Sequence, residues 1–111
     1  MRLPNGYRWL YVNIEARVIQ FLLEEVTDPA TLERLRKTLA DGSGSSTELD
    51  ITALSSEGRQ QVLRALAERL VPAAITWYAD DPQQGGSVGA MKQLWLMAED
   101  VLRQEEEGAV S

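Results

Sequence analysis

Ser55–Leu70, SSEGRQQVLRALAERL, carries the signature of one amphipathic helix. Ser55 is a favourable N-cap, because its side-chain oxygen can accept a first-turn N–H that has no intrahelical partner. Glu57 complements the positive end of the helix dipole. Val62, Leu63, Leu66 and Leu70 recur at spacings of one, three and four, which lines one face of a 3.6-residue period. The other positions are Ser, Gly, Arg, Gln, Ala and Glu.

Working outward, the same period returns on both sides. Residues 7–26 read as a first helix, with Tyr7, Tyr11, Ile14, Val18, Phe21 and Leu22 on one stripe and Leu10 beside it. The opening Tyr7–Val12 is strand-like in composition, but nothing breaks the run into the helical Glu15–Glu25, so helix is favoured there. Thr27-Asp28-Pro29 stops and restarts the chain, with Asp28 as N-cap and Pro29 at the first helical position. Leu32, Leu35 and Leu39 mark a short second helix, and Gly42 is placed to end it. Residues 41–46 form a loop by composition. Leu49 and Ile51 alternate with polar neighbours in an extended segment, with no second strand in the sequence for it to pair with.

C-terminal to Leu70, Pro72 either kinks the helix or separates it from a short fourth, Ala73 to Ala79. Residues 80–86 read as a loop. Ser87 then caps a last helix whose inner face is Met91, Leu94, Trp95, Ala98, Val101 and Leu102. Glu105-Glu106-Glu107 opposes the dipole at its end. The reading is all-α: four to five helices in an antiparallel bundle or orthogonal array, with one short extended segment at 48–52. Residues 1–111 form a single helical domain, with 104–111 as a frayed acidic tail.

Composition limits the chemistry. The chain has no histidine and no cysteine, which removes disulfides, thiol catalysis, Cys-based zinc sites and the usual serine-hydrolase base. The adjacent pairs Glu24/Glu25, Asp80/Asp81 and Glu99/Asp100 do not face one another on a helix, so adjacency alone builds no acid–base dyad. Glu48, Asp50, Asp80 and Asp81 do not follow a calcium-loop spacing. Gly85–Gly89 precedes a helix but lacks the Gly-Lys-Ser/Thr of a phosphate loop. Arg34, Arg36 and Lys37 make the only basic cluster, without a helix-turn-helix around it. No enzyme activity, metal site or cofactor is expected.

The net charge of −6 is uneven: residues 80–111 hold seven Asp/Glu against two Lys/Arg. Such a field repels phosphates and attracts basic surfaces. The expected partner is therefore a basic protein, with no direct nucleic-acid contact. Met1–Gly6 shows no signal-peptide core and no stretch approaches 18 apolar residues, so a cytoplasmic protein without membrane contact is expected. Candidate partner-binding residues are Tyr7 and Trp9, as apolar anchors, and Asp80, Asp81, Glu99 and Asp100, as steering charges.

Glu48-Leu49-Asp50-Ile51-Thr52-Ala53-Leu54-Ser55-Ser56-Glu57-Gly58-Arg59, leading into the helix through residue 70, resembles stretches of small bacterial immunity proteins paired with polymorphic or contact-dependent toxins. The resemblance implies a cytoplasmic protein that binds and blocks one cognate toxin, and assigns no contact residue. The alternative is a structural or adaptor protein that homodimerises through an exposed helix face, with Trp9, Leu10 and Val12 outside the main stripe of the first helix.

Overall fold

A computed structural model describes residues 1–4, 6–9, 12–41, 49–79 and 85–110. Among them the fold is all-α. Five α-helices follow in order: α1 (Val12–Glu25), α2 (Pro29–Asp41), α3 (Ser56–Glu68), α4 (Leu70–Trp77) and α5 (Gly85–Val110), with a 3-10 turn at Ile51–Ala53 before α3. None is long and apolar enough to cross a membrane. The chain divides into two compact units, Met1–Val62 and Leu63–Ser111, with the boundary inside α3.

The first unit opens with a tight hairpin, not with a helix from residue 7. The Gly6 N–H donates to Leu3 O (3.2 Å), and the Leu3 N–H to Tyr7 O (2.9 Å). The Trp9 N–H donates to Met1 O (2.8 Å), and the Met1 ammonium returns a bond to Trp9 O (2.8 Å). Gly6 has φ +89°, a left-handed conformation that suits glycine in a turn following a proline. The backbone groups of Tyr7 and Trp9 are thus committed across the hairpin, and α1 starts at Val12.

Leu49–Ile51 does have a partner, Met1–Leu3 itself. Arg2 donates to Leu49 O (2.8 Å) and accepts from Ile51 N–H (2.9 Å), so the first residues run between two neighbours. Strand alternation explains the burial. Met1, Leu3, Trp9, Leu49 and Ile51 face inward, while Arg2 and Arg8 face water. The buried Glu15 of α1 brings Oε1 to 2.9 Å from the equally buried Met1 ammonium. This is a charge contact and not an aligned hydrogen bond.

Helices α1 and α2 pack together across the three-residue connection Val26–Asp28. Asp28 caps α2 as its sequence suggests: Oδ2 accepts from the Thr31 N–H (3.0 Å) and hydroxyl (2.6 Å). Gln61 of α3 accepts from the Thr27 and Asp28 N–H groups at 2.9 and 3.1 Å, which ties the connection to that helix. Ser55 caps α3 by accepting from Gly58 N–H (3.1 Å). The two helix starts meet closely, since a Cβ on Gly58 would lie 1.9 Å from Thr31 Oγ1. The buried positions of α2 are Thr31, Leu35 and Thr38, whereas Leu32 and Leu39 are half-buried. The threonines are admissible inside because their hydroxyls are satisfied, by Asp28 and by Arg34 O.

In the second unit, α3 ends at Glu68 and α4 begins at Leu70, so the helix is broken ahead of Pro72. Pro72 cannot donate to Glu68 O, and the missing bond falls where the path turns at Arg69 (φ −124°, ψ −19°). Pro72 then occupies the first turn of α4, where N–H groups lack intrahelical acceptors anyway. Leu70 accordingly belongs to α4. Helices α4 and α5 pack on one another. Leu70 and Ala74 of α4, and Ala90, Met91, Leu94, Ala98 and Val101 of α5, are buried. Helix α5 begins at Gly85, so Ser87 lies inside it and is not its cap. Its helical backbone runs to Val110.

Candidate functional site

The candidate contact positions among the described residues fall in both units. Tyr7 lies at the hairpin of the first unit and is 38% exposed, while Glu99 and Asp100 lie on α5 in the second. Asp80 and Asp81 fall outside the described residues.

Trp9 is corrected from surface anchor to interior residue, at 2% exposure. The cause is local. In a helix it would stand at the edge of the apolar stripe beside Arg8, whereas in the hairpin strict alternation turns Arg8 out and Trp9 in. The signal that could have found this is Pro4-Asn5-Gly6, a turn sequence preceding a β-prone Tyr-Arg-Trp.

The outer face of α5 carries Lys92, Leu96, Glu99, Arg103 and Glu106, spaced four, three, four and three apart, and all are exposed. Asp100 stands beside this face, half-buried, and accepts from Arg103 Nη2 at 2.9 Å. Gln104 Nε2 reaches its other oxygen at 3.5 Å. Asp100 is therefore locally compensated, an exposed pair of the sort worth about 0.3–0.5 kcal/mol. Glu99 and Glu106 present charge to solvent more directly.

Two apolar residues lie on this unit's surface: Leu96, which the inner-face pattern of α5 leaves out, and Ile75, which composition placed with Trp77 and Tyr78 among the buried side chains and which is exposed instead. Leu96 is 56% exposed on α5, and Ile75 is 53% exposed on α4. Both stand off the buried faces of their helices. Leu96 is legible as a leucine outside the Met91/Leu94/Ala98 stripe. Ile75 is harder to see, because every residue from Leu70 to Ala79 is uncharged and the polar face that would mark the solvent side is missing.

Elsewhere, Arg34, Arg36 and Lys37 are exposed on α2, in keeping with a solvated basic face. A cavity of about 130 Å³ in the first unit is lined by Ala30, Thr31, Arg34, Ala53, Leu54 and Ser55. It is smaller than the pockets that enclose drug-sized ligands, which run to about 300–1,000 Å³. Among the described residues, no group of three or more carboxylates is placed to hold a metal ion. The arrangement is thus one of surfaces: a partly acidic helix face and an uncharged apolar helix in one unit. No protein family matches the chain, and no significant match is found among characterised proteins or solved structures.

Proposed function

We propose that this protein is a non-enzymatic binding protein of the immunity or antitoxin type, cytoplasmic and bacterial, which occludes a basic partner such as a toxin nuclease. A nuclease suits the reading because its own substrate is anionic and its cleft must be basic. The observation that carries it is the placement of charge. Residues 63–111 hold eight Asp/Glu against Arg64, Arg69, Lys92 and Arg103, and Glu99 and Glu106 of α5 stand exposed. Exposed charge of one sign accelerates encounter with a surface of the other sign and is screened by salt.

The homodimer alternative leaned on Trp9, Leu10 and Val12 at the surface of the first helix. Trp9 is buried, and the side chains of Leu10 and Val12 fall outside the described residues, so that route has lost its aromatic anchor.

The test is a tagged capture from native lysate at low and moderate salt, with bound proteins identified by mass spectrometry. One stoichiometric basic partner, weakened by salt, supports inhibition. Recovery of the protein alone favours self-association. With a partner in hand, Asp80→Lys with Asp81→Lys should slow association several-fold. An unchanged on-rate removes those two residues from the steering surface.

A further inference from the structure

We infer that the cavity between the start of α2 and the segment leading into α3 binds a carboxylate group on a short aliphatic stem, held by Arg34. This goes beyond the proposed inhibitor function and does not rest on it.

The cavity, of about 130 Å³, lies within the first unit and is lined by Ala30, Thr31, Arg34, Ala53, Leu54 and Ser55. Its size sets the scale of the occupant. A cavity of about 150 Å³ takes up benzene, so this one suits a group of roughly six non-hydrogen atoms or fewer. Its lining sets the chemistry. Ala30, Ala53 and Leu54 offer apolar wall to a short hydrocarbon stem, and Arg34 is the one charged residue among the lining residues. Thr31 donates its hydroxyl to Asp28 Oδ2 (2.6 Å), so towards a ligand its oxygen can only accept. Ser55 Oγ accepts from the Gly58 N–H (3.1 Å), which leaves its hydroxyl proton to donate. The side-chain donors of the lining are thus a guanidinium and a hydroxyl, a set that matches an acceptor-only group.

Arg34 is placed to hold an anion from outside the chain. On a helix a side chain meets those three and four positions away, and for Arg34 these are Ala30, Thr31, Lys37 and Thr38. None is a carboxylate, and Lys37 adds a second positive charge on that side. Glu33 directly precedes Arg34 and so does not face it. Asp28 has Oδ2 engaged by the N–H and the hydroxyl of Thr31, and it is not part of the lining. The net charge of −6 does not oppose the site. Screening acts over about 8 Å at physiological salt, so the groups at the cavity set the local field. A monoanion suits it better than a phosphate dianion, because one guanidinium balances one charge and its parallel N–H bonds match the two oxygens of a carboxylate.

The experiment titrates the intact, isotope-labelled chain with sodium butyrate at constant ionic strength and follows backbone amide signals by NMR, with butyramide as the neutral isostere. Butyrate should give saturable shifts at Ala30, Thr31, Ala53, Leu54 and Ser55, with a dissociation constant on the order of 1 mM, and butyramide should not. Arg34→Gln should weaken binding about tenfold, the scale of one hydrogen-bonded charge. Lys37→Gln removes the same charge from the same helix outside the lining, and should weaken binding less than about threefold. Both positions are exposed, and circular dichroism checks that the variants fold. Equal losses in the two variants would reduce the effect to general attraction by a basic helix face and overturn the inference. So would butyramide binding as tightly as butyrate, shifts confined to residues outside the lining, or no saturation at concentrations an order of magnitude higher. N-acetylglutamate amide, which carries the same carboxylate on a peptide unit, separates the two sources of such a group. Tighter binding than butyrate makes the ligand an acidic side chain of another protein, and weaker binding makes it a free short-chain acid.

Discussion

The two units are built to different rules. In Met1–Val62, position after position is fixed by a directional contact: the Met1–Trp9 pairing, the Asp28 and Ser55 caps, the Gln61 clamp on the α1–α2 connection, and the Gly58–Thr31 approach. In Leu63–Ser111, α4 and α5 pack through Leu70, Ala74, Met91, Leu94 and Ala98, and apolar surface remains in water at Ile75 and Leu96. Directional bonds specify one arrangement and leave little surface to spare. Apolar packing tolerates variation in its partners and leaves faces that another molecule can cover. On this contrast, the first unit is held by directional contacts, and the second exposes the aliphatic residues Ile75 and Leu96.

The contrast breaks most visibly at Glu15. Its carboxylate lies 2.9 Å from the buried Met1 ammonium, so Glu15→Gln removes a negative charge that offsets that ammonium in the interior. Removing one member of a buried pair costs about 3 kcal/mol. Urea denaturation should report a loss of that order, and hydrogen exchange should place it at the amides of Arg2, Leu3, Trp9 and Ile51. A loss under about 0.5 kcal/mol, the range of ordinary surface substitutions, would mean that water reaches the pair and that this unit is less tightly specified than its contacts imply.

Gly58→Ala is the next largest effect. The new methyl would overlap Thr31 Oγ1, which is itself held by Asp28, so relief requires moving one helix start or releasing a cap. Overpacking of this kind costs about 1–3 kcal/mol. Thr31→Ala in the same chain should restore part of the loss, and the non-additivity between the two changes measures how rigid the contact is. Strict additivity would show that the helix starts separate freely.

The same contrast governs what could be read from sequence. Helices α3 and α5 were legible because burial sets their pattern, and Val62, Leu63, Leu66, Met91, Leu94, Ala98 and Val101 are all buried, although Leu70 belongs to α4 and Trp95 and Leu102 of the expected inner face are half-buried. The caps Asp28 and Ser55 were legible because capping is local chemistry. The hairpin of residues 1–9 had a local signal in Pro4-Asn5-Gly6 that the helical run beyond it masked, whereas the pairing of residues 1–3 with residues 49–51 had none, because no periodicity within either segment reports a partner 48 positions away. That also misplaced Trp9, whose direction depends on whether the backbone is helical or extended. The buried Thr31 and Thr38 escaped for a related reason: a hydroxyl belongs inside only when its acceptor is known. Of the contact surface, the acidic bias was visible in the charge count, but Ile75 and Leu96 emerge only when the buried faces of α4 and α5 are fixed.

The smallest effect tests how far the backbone at the start of α5 limits the stability of the second unit. Helix α5 opens with Gly85-Gly86-Ser87-Val88-Gly89, and a Cβ on Gly89 would meet nothing within 4 Å. Glycine costs a helix interior about 0.5–1 kcal/mol relative to alanine, because its unfolded chain has more conformations to lose. Gly89→Ala should therefore stabilise the protein by that amount, read as a raised urea midpoint at constant slope. An unchanged midpoint would mean that packing, and not the backbone propensity of this segment, limits the stability of the second unit.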